Sequence, residues 1–118
     1  MMSNLDKTKQ IYAQVGQGKL LEAFEANYAE NIVMEEPSGR REGKEACRKY
    51  EEQFINNVEA FHSLEIKAIS EDLDKEKVFI EVAMDLTFKG GNRVTMEQVA
   101  VQQWEQGQIV HERFYYNA

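Results

Sequence analysis

The chain has 118 residues, 42% of them hydrophobic and 30% charged, with a formal net charge of −7. A single domain of that size buries roughly 65% of its unfolded surface and needs no covalent staple. The acidic balance argues against a nucleic-acid backbone or an anionic membrane surface as partner, and a single cysteine, Cys47, excludes an internal disulfide. No run of about 18 apolar residues is present, and the first ten residues carry no apolar core of a secretory signal. A cytoplasmic location is therefore expected.

Leu5, Thr8, Ile11, Tyr12 and Val15 recur at helical spacing, with Ser3 or Asn4 as cap and Gly16 and Gly18 beyond the end. A second short helix places Leu20, Leu21, Phe24 and Tyr28 on one face. Asn31 to Glu36 reads as a strand that Pro37 stops. A third helix starts after Gly43, with Cys47, Tyr50, Phe54 and Val58 as its apolar stripe and Glu45–Lys49 as a solvent-side i,i+4 pair.

The rest of the chain reads as strand. Leu64, Ile66 and Ala68 alternate with polar neighbours. Val78, Ile80, Val82, Met84, Leu86 and Phe88 then take every second position over eleven residues. The turn at 89–92, KGGN, predicts a hairpin, because glycine reaches positive φ without strain. RVTMEQVAVQQW, the turn EQGQ and IVHERFYYN complete the pattern. Helices followed by a long meander predict an α+β fold: a strongly curved antiparallel sheet forming a cone, packed against three N-terminal helices. The mouth of such a cone is a natural place for a small molecule.

The order and spacing of KLLEAFEANYAENIVMEEPSG, GKEACRKYEEQF and VQQWEQGQIVHERFYYN resemble the nuclear transport factor 2-like superfamily, which shares the cystatin-like fold. Within it they look most like SnoaL-like polyketide cyclases and ketosteroid isomerases. The likeness spans nearly the whole chain and implies one SnoaL-like domain over 1–118. It implies a pocket enclosed by a curved sheet and three helices, and often a dimer through the outer sheet face. Fold alone does not deliver a reaction.

The resemblance also implies site roles. The isomerase base precedes a proline, and Glu36 stands there. Tyr12 occupies the place of the helix tyrosine that donates to the developing enolate. A second donor acid on a late strand is replaced by Ala100, so half of that oxyanion site is missing. With Ala100 inward, Met96, Gln98 and Gln102 share its face, as do Val82, Met84 and Leu86 on the neighbouring strand. Glu112, Phe114 and Tyr116 follow on the last strand. Outward then point Val99, Val101, His111 and Tyr115, apolar enough in part to suggest a homodimer surface.

The expected site thus has Glu36, Tyr12 and Glu112 as catalytic groups. Tyr28, Met34, Tyr50, Phe54, Val82 and Met84 contribute to its wall, with Met96, Gln98, Ala100, Gln102, Phe114 and Tyr116 from the later strands. Each has a simpler alternative. Glu36 could only pair with Arg40 or Arg41. Glu112 could be an ordinary hydrogen-bonded acid, and Tyr12 a core tyrosine. A desolvated Glu36 would hold its proton toward neutrality, and strand alternation turns Glu35 outward. His62 and His111 lack metal-ligand spacing, Cys47 reads as an inert core thiol, and the KGGN turn lacks the spacing of a phosphate loop. The expected function is binding of a small apolar molecule. Cofactor-free isomerisation, cyclisation or dehydration of a carbonyl compound would follow if the acids are catalytic. A non-catalytic binding module, or a dimeric scaffold with a filled cone, is the alternative.

Overall fold

A computed structural model describes residues 2–117. Helix α1 spans Asn4–Gly16, and the Ser3 hydroxyl accepts from the Asp6 amide at its start. It ends where Gly18 takes φ +79°, which lets the Lys19 amide return to the Gln14 carbonyl. Thr8, Ile11, Tyr12 and Val15 form its buried face. Helix α2, Leu20–Asn27, buries Ala23 and Phe24 and runs directly into β1, Tyr28–Glu36. A tight turn at Pro37 and Ser38 leads into β2, Gly39–Glu42, and α3 follows over Lys44–Asn57.

Strands β3 (Val58–Asp72), β4 (Lys77–Phe88), β5 (Arg93–Glu105) and β6 (Gln108–Tyr115) form the meander. Gln106 and Gly107, both at positive φ, make the last hairpin. The six strands lie in one open sheet in the order β2-β1-β6-β5-β4-β3. The expected α+β architecture is present with two refinements. Strand β2 was not foreseen, and β1 runs parallel to β6, so the sheet is mixed.

Three register shifts interrupt the pairing of β3 with β4, at 58–60, 61–63 and 66–68. Each adds a residue on one strand and bends it. The shift at 66–68 breaks the alternation read from Leu64, Ile66 and Ala68: beyond it Ile69 packs on the core, and Ala68 is exposed. On β4 and β5 the register sets Ile80 beside Ala100, Val82 beside Gln98, and Met84 beside Met96. All six therefore share the concave face, as the sequence predicts. The three helices pack over that face, α1 against α2, β3 and β4, and α3 against β1. Trp104, Phe24, Ile32, Ile80 and Ile109 are among the largest fully buried side chains of the core. Among the described residues no helix is long and apolar enough to cross a membrane.

Candidate functional site

Between the helices and the concave face lies a cavity of about 120 Å³. The cone is therefore not filled, contrary to what the scaffold alternative requires. Its lining includes Tyr12, Tyr28, Met34, Glu36, Tyr50, Phe54, Met84, Met96, Gln98, Phe114 and Tyr116 of the predicted wall. Ile11, Val15, Leu20, Ala23 and Phe24 close it from α1 and α2. Val82, Ala100, Gln102 and Glu112 were expected in the wall but belong to the fully buried layer beneath. They have the predicted facing, but other side chains cover them.

Glu36 ends β1 at the cavity, yet it is not a lone acid. The Tyr50 hydroxyl donates to its Oε1. The Ser38 hydroxyl donates to the same oxygen at 2.6 Å, and the Arg41 guanidinium lies 3.6 Å away. Arg41 also stacks over the Tyr50 ring, 3.3 Å from its centroid. In place of the desolvated, unpaired acid expected at this position stands an acid held by two hydroxyl donors with a guanidinium beside it. Burial, and then the Glu36 contact, push the Tyr50 phenol up to about 12, so it stays a donor. Glu35 does face out, where it meets His111 at 2.6 Å and Arg40 at 3.4 Å.

Glu112 sits out of reach of the cavity in a closed polar network. The Tyr28 hydroxyl donates to it at 2.5 Å and the Gln102 amide at 3.1 Å. The Gln102 carbonyl oxygen accepts in turn from Thr8 at 2.8 Å and from the Trp104 indole at 3.0 Å. Burial lifts the Glu112 carboxyl to about 7 despite these two donors. A catalytic role for Glu112 by direct contact does not fit this position; its neighbours are those of a structural acid.

A third acid, Glu51 on α3, lines the cavity and was not foreseen. Among the described residues its carboxyl has no hydrogen-bond or ion-pair partner, and no unpartnered polar side-chain atom is sealed from access. Glu51 thus lines the cavity with a side chain that is partly accessible. Burial, followed by the negative charges of Glu112 and Glu36, lifts it to about 8, with Arg41 opposing. The Tyr12 hydroxyl is likewise without a partner among the described residues. Burial first, then Glu112 and Glu51, hold its pKa well above the ordinary phenol value. At neutral pH both groups carry protons they can donate. The signal for Glu51 lay in the sequence, since Cys47, Glu51 and Phe54 follow the i, i+4, i+7 spacing of one helix face.

The two histidines stay apart from the cavity. His62 is exposed beside Thr87, and His111 lies on the outer face. Among the described residues no three His, Cys, Asp or Glu side chains gather as a metal site. Cys47 is buried.

The sequence matches the SnoaL-like domain family over residues 2–116. The structure superposes on a candidate SnoaL-like polyketide cyclase from Mesorhizobium loti with a TM-score of 0.81 and 28% identity, covering 98% of this chain and 100% of that one. A candidate isomerase from Bacillus subtilis gives 0.81 at 22% identity, covering 94% and 84%. A protein of ketosteroid isomerase-like fold from Catenulispora acidiphila, solved with trimethylamine, gives 0.79 at 15% identity, covering 98% and 88%. The latter two speak to the fold alone. No curated protein sequence matches this chain.

Proposed function

Since the chain belongs to the SnoaL-like domain family, we propose that it binds a small, largely apolar carbonyl compound and moves a proton next to the carbonyl without a cofactor. The observation behind this reading is the meeting of Glu36 and the unpartnered Tyr12 phenol at one apolar-walled cavity. Glu36 takes a proton from the carbon beside the carbonyl. The electron pair moves into the carbonyl, and the resulting oxyanion accepts from Tyr12. Return of the proton at the same or a conjugated carbon completes an exchange or an isomerisation. The volume bounds the ligand: a closed cavity of about 150 Å³ takes up benzene, so the cavity of about 120 Å³ here, open at its mouth, holds the reacting end of a single ring or a short branched chain.

The test is α-proton exchange of small cyclic ketones in D2O, followed by NMR. The native protein should accelerate loss of the α-proton signal, and Glu36→Gln should abolish the acceleration with the fold intact. Binding without any exchange would establish a non-catalytic binding module instead. That second reading is favoured by one observation, the two hydroxyl donors and the Arg41 ion pair already on Glu36.

The same proposal includes a cytoplasmic homodimer through the outer sheet face, where Phe79 and Tyr115 are exposed. Sedimentation should report a dimer that Tyr115→Glu dissociates. A native protein that sediments as a monomer would remove this part.

A further inference from the structure

We propose that Glu51 supplies the second hydrogen-bond donor of the oxyanion site, from α3, alongside Tyr12 and in place of the acid that Ala100 does not provide. This rests on the reading of the cavity as a carbonyl site. Ala100 has no polar side-chain atom and lies fully buried on β5, covered from the cavity. A donor to a bound oxygen must come from elsewhere on the wall. Of the acids near the cavity, Glu36 has donors on it and Glu112 is enclosed by Tyr28 and Gln102. Glu51 lines the cavity, and no hydrogen bond or ion pair to its carboxyl is made among the described residues; the Gln98 amide on β5 is a further polar donor of that wall.

The surroundings of Glu51 keep its proton on. Burial acts first, then Glu112 from β6 and Glu36 from β1, while Arg41 of β2 opposes them; Tyr12 of α1 lies near enough for the Glu51 charge to raise its own phenol. Its own helix contributes Tyr50, whose proton is committed to Glu36, and α2 presents the apolar Phe24. A neutral carboxylic acid so held is a donor, and it strengthens as negative charge develops on the accepting oxygen. The ligand class is therefore one whose oxygen becomes anionic, an enolate or phenolate, on a single ring.

The probes are 4-nitrophenol, whose bound phenolate is seen by absorbance, and 4-nitrotoluene, its neutral analogue of similar shape. The native protein should bind the phenolate in preference to the toluene. Glu51→Leu should weaken the phenolate about tenfold without weakening the toluene. Glu51→Gln retains an N–H donor and should lose less. In the native protein phenolate affinity should fall above about pH 8 as Glu51 loses its proton, a fall that Glu51→Gln removes. Unchanged phenolate binding in both variants would overturn the role of Glu51 while leaving Tyr12 and the carbonyl site standing. A native protein that prefers the toluene, with no effect of Tyr12→Phe, would overturn both this inference and the carbonyl reading beneath it.

Discussion

Glu112 and Glu51 are drawn out of water in adjoining layers of the cone, and burial raises the proton affinity of both. Their surroundings otherwise differ. Glu112 lies beneath the cavity with Tyr28 and Gln102 on it, and through Gln102 it is joined to Thr8 and Trp104. Glu51 stands on the cavity wall with nothing attached. A raised carboxyl is thus not by itself a sign of chemistry. The chain spends hydrogen-bond donors on the acid that holds the sheet to α1 and withholds them from the one that faces a ligand.

The contrast predicts opposite consequences of mutation. Glu112→Ala leaves two buried donors without an acceptor, each loss being worth about 1–3 kcal/mol, so denaturation should show a loss of roughly 2–5 kcal/mol. Glu112→Gln, which still offers an oxygen to Tyr28, should recover part of it. A fully stable Glu112→Ala would remove the distinction between the two acids. Tyr12→Phe deletes a hydroxyl with no protein partner. It should change stability by less than about 0.5 kcal/mol while slowing α-proton exchange about 10²-fold. The reverse pattern would make Tyr12 an ordinary core residue.

The pH dependence of stability sharpens the comparison further. Folded Glu51 and Glu112 hold protons up to about 8 and about 7, against an ordinary value of 4.5. Between these limits the native state binds more protons than the unfolded one, so stability falls as pH rises. The contribution is complete below about pH 4.5 and gone above about pH 8. Urea midpoints should therefore drop from pH 5 to pH 8 by the equivalent of at least about 1 kcal/mol. Glu51→Gln should flatten the upper part of the curve. A level profile, the same in the variant, would show that Glu51 is solvated. The exposed acids Glu25, Glu35 and Asp85, whose pKa values their hydrogen-bonded partners Arg48, His111 and Arg93 lower, act only at more acidic pH. The smallest effect is expected at the far end of the Glu112 network. Thr8→Val removes the 2.8 Å bond to Gln102 and should cost about 1 kcal/mol, measurable as a lower Tm. No change would detach α1 from the network.

Much of this arrangement can be read from the chain, because local periodicity carries it. The two-residue alternation from Val78 to Phe88 puts Val82 and Met84 on the concave face, and the register with β5 carries Met96 and Gln98 there with them. The step from Glu35 to Glu36 sends one acid out and the other in. What periodicity omits is depth and long-range pairing. Glu112 has the right facing, but the Tyr28 side chain stands over it, a contact across 84 positions of sequence. Strand β2, four residues reading GRRE, has no apolar alternation. Its existence depends on main-chain pairing with β1 after the Pro37 turn. The parallel partnership of β1 and β6 leaves no local trace either. Glu51 shares its helix face with Cys47 and Phe54, but a charged residue within an apolar stripe reads as belonging to the wet side unless the cavity beneath it is known.

The central claim is that Glu51 is an unpartnered, proton-bearing acid on the cavity wall. Carbon-13 NMR of the glutamate carboxyls, with Glu51 assigned through Glu51→Gln, tests it directly. The account predicts a Glu51 titration midpoint near 8, displaced when 4-nitrophenol binds. A midpoint at the ordinary 4.5, unmoved by the ligand, would contradict it.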